Sequence, residues 1–309
     1  MRTANIAVPS PATRSLGLPL PVLVATFCLL WASAFSVAKL SIADCPPLIV
    51  LTARFLLAGV VIFGAALVSG VRLSLSRRDF LLFAFLGIAN QAVFLGLSYV
   101  GIRSTSSGLA ALVISANPVL TAVLAVAFLN ERMTWRKAAG LLLGVAGVAF
   151  VVESRMAGGI DHPVGIALLL AALVSLVGGT ILYKKFAPSG GGLWVGNGVQ
   201  SLAAGLATLP FAFAFESVGD IVPSWRLAAS LAYLALFVSI FAYLLWFHLL
   251  NVSGATAASS YHFMMPPLGL LFGWLLLGEQ VALTDLIGIV PVALGIYLVT
   301  RPTSLPARK

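Results

Sequence analysis

The chain has 309 residues, 61% of them hydrophobic and only 9% charged. That much apolar surface cannot be hidden in a water-soluble core, so the solvent for most of this chain is lipid. Eighteen Lys and Arg against nine Asp and Glu give +9, yet the cations sit between apolar runs, which argues against nucleic acid as a partner.

A Pro/Ser-rich tail with only Arg2 and Arg14 leads into an apolar run over 19–38. That run could pass for the centre of a signal peptide, but it continues without a convincing small-residue cleavage site and reads as a retained first span. Nine further runs follow at 47–69, 80–100, 105–128, 135–152, 163–183, 192–215, 226–247, 254–277 and 284–300. Each has a length suited to about 30 Å of hydrocarbon at about 1.5 Å per residue, the fifth and tenth being short. Pro46-Pro47 opens the second and Pro163 the sixth, where a missing backbone donor costs least. Gly190-Gly191-Gly192 separates the sixth from the seventh, and Asp79, Thr134 and Thr284 read as helix starts. No long polar segment interrupts the series, so the chain is expected to form one membrane domain.

The chain also repeats itself. Ser115-Ala116-Asn117-Pro118 leads to Asn130-Glu131, as Phe263-Met264-Met265-Pro266 leads to Gly278-Glu279; Pro and Glu are thirteen residues apart both times, and the motifs are 148 positions apart. The same offset pairs Gly140 with Gly288, Gly147 with Gly295 and Ala110 with Ala258. Residues 1–152, with a cytoplasmic tail, and 153–309 are therefore read as two five-helix repeats. With both termini inside, thirteen cations fall on the inner face and four, Lys39, Arg103, Arg155 and Arg226, on the outer. An odd number of spans per repeat then makes the second an inverted copy of the first. The expected fold is all-α, with ten transmembrane helices as two inverted repeats around a central cavity. Such halves can exchange conformations and supply two gates for one site.

Polar groups near mid-depth are costly unless they meet each other, water or a substrate. Asn90, Gln91, Asn117, Asn197, Gln200, Ser239, Tyr243 and His262 are so placed, with Ser259 and Ser260 beside the last. Trp31 and Tyr99 add aromatic faces, and each of these residues also has a plain packing or anchoring reading. Pro118, Pro266 and Pro267 interrupt helix ladders and are expected to act as hinges or as structural bends. Arg54 is the only formal charge well inside a span: it could snorkel outward, meet Asp44, or attract a substrate carboxylate, directly or as part of a gate. Glu131 and Glu279 sit at span ends, suited to capping or to nearby cations. No metal set, nucleophile or paired acids appears, Cys28 and Cys45 form no ligand cluster or disulfide framework, and no cofactor is expected.

The pattern resembles the drug/metabolite transporter superfamily, in particular its ten-span bacterial EamA-type branch. The residues that carry the resemblance are Trp31-Ala32-Ser33-Ala34-Phe35, Pro46-Pro47 with Arg54-Phe55, Tyr99-Val100-Gly101 through Ser107, Ala110 and Ala111 to Asn117-Pro118, and Asn130-Glu131-Arg132. Ala255 through Ala258, Pro266 and Leu277-Gly278-Glu279 repeat it. Within the superfamily the chain is similar to exporters of amino acids and related metabolites, including the aromatic amino-acid type. The resemblance implies a basket of helices around a cavity with the fifth and tenth outside it, in a bacterial inner membrane. The family includes exporters, importers and exchangers, so direction is not inherited with the fold. A lining without a dense basic patch ranks phosphate-bearing substrates below a small neutral or zwitterionic metabolite such as an amino acid, moved by a monomer or weak homo-oligomer. Facilitated diffusion and proton coupling through His262 both stay open. The competing class is a membrane-embedded interaction or scaffold protein.

Overall fold

The structure is a computed structural model, and it describes residues 18–70, 73–129, 134–157, 161–186 and 192–300. Glu131 lies outside these residues. All regular structure among them is helical: α1 (Leu20–Ile42), α2 (Pro47–Val68), α3 (Arg77–Leu86), α4 (Phe94–Ile102), α5 (Ser107–Ile114), α6 (Asn117–Leu129), α7 (Trp135–Ala157), α8 (Pro163–Lys185), α9 (Leu193–Phe215), α10 (Trp225–Ala232), α11 (Tyr243–Ser260), α12 (Met265–Leu277) and α13 (Leu283–Thr300). Wide π turns over Gly87–Val93 and Tyr233–Ala242 fuse α3 to α4 and α10 to α11.

Among the described residues, seven helical stretches are long and apolar enough to cross a membrane: Leu20–Ile42, Pro47–Val68, Arg77–Ile102, Ser107–Phe128, Pro163–Lys185, Leu193–Phe215 and Trp225–Ser253. Three apolar helices are shorter: Ala138–Ser154, Met265–Leu277 and Leu283–Gly295. The largest departure from the sequence reading concerns the run placed at 254–277. Helical hydrogen bonding continues unbroken from Tyr243 to Ser260, so the first part of that run extends α11, and the irregular turn comes at Tyr261–Met264.

The prolines explain where these helices break. Pro118 is the second residue of α6, and Pro266 and Pro267 follow the first residue of α12. A proline at a helix start has no donor to lose, so each marks a fresh half-helix rather than bending a continuous one. Starts assigned to Asp79 and Thr284 shift slightly. Ser76 caps α3 by accepting from the Asp79 N–H at 3.0 Å, and α13 begins at Leu283, where Asp285 accepts from the Ala282 N–H at 2.9 Å.

Two pairs, α7 with α13 and α2 with α9, make the broadest helix contacts. Other contacts come in matched sets: α1 packs on α12 as α8 packs on α6, and α9 packs on Gly87–Val93 as α2 packs on Tyr233–Ala242. The α7–α13 seam is closed by glycine. A Cβ at Gly295 would overlap the Gly140 carbonyl and stand 2.8 Å from the Gly144 nitrogen, so the seam joins helices within the chain through backbone contact. Gly295→Leu is expected to cost about 1–3 kcal/mol through overpacking, read as a lower thermal midpoint in detergent. Leu294→Ala, at a 51% exposed neighbour, is the control. Equal midpoints for the two variants would contradict this packing.

Candidate functional site

α2 starts at Pro47, and two turns later it delivers Arg54 into the bundle, where the residue is 1% exposed. Its Nε donates to Ser239 Oγ at 2.8 Å and its Nη1 to the Tyr99 hydroxyl at 2.9 Å; the Cζ stands 5.7 Å from the Phe55 ring centroid. Nη2 has no partner. The expected alternative of a pair with Asp44 does not occur, because both Asp44 oxygens accept from Arg226 and one also from Ser224. Nor does Arg54 snorkel outward. An arginine at mid-helix depth costs roughly 2.5–3.5 kcal/mol on insertion scales, so two neutral partners and a ring face leave it incompletely compensated.

Beside Arg54 lies a narrow void lined by Trp31, Phe35, Phe94, Ser98, Tyr99 and Tyr243, among others. It offers about 20 Å³ to the centre of a water molecule, enough for roughly one water and no more. Trp31 and Tyr243 meet across it with ring centroids 5.1 Å apart. On its far side Trp31 joins Phe27 and Trp246 in a cage around His262, whose ring lies 4.9 Å from Trp246 and 5.7 Å from Trp31. Neither His262 nitrogen has a hydrogen-bond partner.

The wide turns shape this region. A π turn carries an extra residue, which re-aims side chains and leaves carbonyls open to a second donor. Within them, the Asn90 carbonyl accepts from the Tyr243 hydroxyl at 3.1 Å, that of Ala89 from Ser175 at 2.8 Å, and that of Ser239 from the Asn197 amide at 2.9 Å. Arg54, Tyr99, Ser239, Asn197, Asn90, Tyr243, Trp31 and His262 thus form one connected interior. Gln91 and Gln200 are fully buried with both amide atoms unpartnered, and Asn90 Oδ1, Asn117 Nδ2, Asn197 Oδ1, Ser201 Oγ and Ser259 Oγ are likewise unpartnered. Asn117 stands apart, its Oδ1 accepting from Thr121 within α6 at 2.8 Å.

One end of the bundle is tied shut by contacts between the two halves of the chain. Glu279 accepts from the Ser107 N–H at 2.8 Å, the Ser107 hydroxyl at 2.8 Å and the Gly108 N–H at 3.2 Å, and pairs with Lys39 at 3.2 Å. Gly278, in the left-handed region at φ 65°, ends α12 and turns the chain toward this contact. Glu216 accepts from the Leu48 and Ile49 N–H groups at 3.0 and 2.9 Å, Asp161 from the Ser106 N–H, and Asp44 from Arg226. Glu216, Asp161 and Glu279 thereby satisfy backbone donors at the starts of α2 and α5. Burial works to raise the Glu279 pKa, but the Ser107 donors, the Lys39 charge and the Gly108 N–H together hold it below the usual carboxylate range. The Arg226 and Ser224 hydrogen bonds hold Asp44 low against its desolvation. His162 caps α8, its Nδ1 accepting from Val164 N–H at 3.3 Å.

With this geometry in place, comparison with known proteins is decisive at the level of family. The chain matches the EamA-like transporter family over residues 20–153 and 163–301. It belongs to that family. An uncharacterised transporter of Archaeoglobus fulgidus is 31% identical over 274 residues, 88% of this chain and 95% of the relative. The S-adenosylmethionine/S-adenosylhomocysteine transporter of Chlamydia muridarum is 28% identical over 81% of this chain and 82% of its own. A solved crystal structure with 20% identity superposes with a TM-score of 0.67, covering 90% of this chain and 96% of that one, and shares the fold. The protein is therefore a secondary transporter of small metabolites in a multi-helix membrane bundle. Among the described residues of this EamA-like transporter, no group of three or more His, Cys, Asp or Glu could hold a metal.

Sequence reasoning did not single out Ser201, Ser98 or Phe27, nor the π turns. Ser201 and Ser98 were single hydroxyls in apolar runs, and such residues equally bond their own helix, as Ser98 does to the Phe94 carbonyl at 2.8 Å. Glu279→Gln is expected to loosen the latched end, seen as faster labelling of a cysteine placed at Ser36. The pH sense follows from the depressed pKa: the carboxylate's contribution is complete above the ordinary Glu range and is lost as pH falls through the lowered value. At matched pH the ratio of the variant's labelling rate to that of the wild type should therefore fall toward one only under strong acid, where the shrinking thiolate fraction slows both alike. Equal rates at neutral pH would show that Glu279 does not hold this end.

Proposed function

We propose that this EamA-like transporter exports amino acids or related small metabolites by alternating access. In this reading ten helices cross a bacterial inner (plasma) membrane as two inverted five-helix repeats, with both termini cytoplasmic, and the latched end faces outward. The observation that carries the reading is the set of buried, partnerless polar atoms on Gln91, Gln200, Ser201, Ser259 and His262, contributed by both halves. A buried amide without a partner costs about 1–3 kcal/mol. Several such groups together suit a passage that water and substrate enter, and suit poorly the filled, dry core of a scaffold. The void beside Arg54 is too small for a metabolite, so the passage must widen before it accepts one.

Internal symmetry supports the inverted repeat. The π turn at Gly87–Val93 falls within that at Tyr233–Ala242 when moved by the 148 positions that separate Pro118 from Pro266, and the break at Ser115–Ala116 falls in the same way within Tyr261–Met264. The paired helix contacts and the two matched family stretches repeat the same division. Solute movement down a gradient is the simplest driving mode, because the one candidate proton carrier, His262, is buried against the rings of Phe27, Trp31 and Trp246.

The Chlamydia relative motivates a second reading, in which the cargo is S-adenosylmethionine. Purified protein in liposomes separates the two by counterflow of labelled neutral, aromatic and cationic amino acids, S-adenosylmethionine and a sugar phosphate. Flux of an amino acid and none of the sugar phosphate is expected. Asn90→Ala and Tyr99→Ala should each lower that flux by about tenfold, as expected for loss of a buried polar contact, while lipid-facing Leu206→Ala should not. Equal effects of all three, with folding preserved, would reject this passage.

A further inference from the structure

We propose that Arg54 is the receptor for a substrate carboxylate, and that the substrate is a monocarboxylate with an apolar or aromatic remainder whether or not it carries an amino group. The inference rests on the transport reading and goes beyond it by naming the group that is recognised. Three observations carry it. Arg54 is 1% exposed and among the described residues forms no ion pair, its partners being the neutral Ser239 and Tyr99 hydroxyls. Its Nη2 is buried and unpartnered. It also lines the void whose other walls are mostly rings and aliphatic groups, including Trp31, Phe35, Phe94 and Tyr243.

A guanidinium is a planar fork of donors that fits a carboxylate with two parallel hydrogen bonds, and in a low-dielectric site the opposite charge it lacks is the group it binds best. One fixed cation neutralises one negative charge, which favours a monoanion over a phosphate dianion. The walls supply faces for an apolar side group. No acidic residue lines the void, so nothing there reads an ammonium by ion pairing. An amino acid and its 2-hydroxy analogue should consequently be accepted alike, and the decarboxylated amine refused. Arg54 also bridges the halves, since Tyr99 belongs to α4 and Ser239 to the turn before α11. A carboxylate arriving at the fork competes with these contacts and so couples binding to the relation between the halves.

The test measures thermal stability of the full-length protein in detergent against phenylalanine, 3-phenyllactate, phenethylamine and chloride, for wild type, Arg54→Lys and Arg54→Gln. A ligand that binds only the folded state raises the midpoint by an amount that grows with the logarithm of its concentration over its dissociation constant. Phenylalanine and phenyllactate should each raise the wild-type midpoint with the logarithm of concentration, less than additively when mixed, and phenethylamine and chloride should not. Arg54→Lys should weaken the carboxylate response by at least about tenfold through loss of the bidentate fork, and Arg54→Gln should abolish it. Stabilisation by phenethylamine equal to that by phenyllactate, no response to either carboxylate, an equal response to chloride as an adventitious ion only, or an undiminished response in Arg54→Gln would each overturn the proposal. If Arg54→Gln does not fold, the wild-type contrast of phenyllactate with phenethylamine decides alone. Binding needs no translocation, so binding without flux would sink the transport reading only, and flux without carboxylate preference would sink this one only.

Discussion

Every polar atom in a lipid-embedded chain must find its partner inside the protein, because the surrounding hydrocarbon offers none. At the latched end the first donors of two helices obey that constraint. The donors at the starts of α2 and α5 are met by Glu216, Asp161 and Glu279, each reaching across from the other half of the chain. In the interior the constraint is left unmet at Arg54, Gln91, Gln200 and His262. A satisfied end and an unsatisfied middle are therefore two different environments within one bundle, and the proposed passage is assigned to the second.

The helix breaks serve the same end. Pro118 and Pro266 each begin a half-helix, so the segments before and after them are joined through short tight turns rather than a continuous ladder. The π turns sit on the helices that carry Asn90, Gln91 and Ser239 and already share their carbonyls with hydroxyl and amide donors from neighbours. Such joints interrupt the hydrogen-bond ladder that would otherwise make each span one continuous rod. By contrast, the α7–α13 seam, closed by Gly140, Gly144 and Gly295, is a rigid contact away from the polar interior.

Much of this was legible in the sequence because membrane helices announce themselves by length and composition, and because a duplicated proline-to-glutamate interval survives in both halves. The polar residues near mid-depth were legible for the same reason: an Asn or Gln in an apolar run is costly anywhere but inside. What composition cannot give is the partner. Arg54 had Asp44 within easy reach along the chain, yet Asp44 goes to Arg226, far away in sequence, and Arg54 goes to Tyr99 and Ser239. The boundary near residue 254 was missed because Asn251, Ser253 and Gly254 look like a connection between two apolar runs, while the backbone stays helical through Ser260. The π turn at Tyr233–Ala242 left no sequence mark, since a wide turn in lipid needs no glycine, proline or polar residue.

The central claim is that Gln200, fully buried and partnerless here, faces a passage reached by water from each side in turn. Its most direct measurement is the reactivity of a single cysteine at Gln200, in a background with Cys28 and Cys45 replaced by serine, toward a membrane-impermeant thiol reagent added to one face or the other of sealed vesicles. Labelling from both faces is expected, with labelling from the latched face lost when Lys39→Cys and Glu279→Cys are cross-linked. Protection from both faces, with transport retained, would contradict the account.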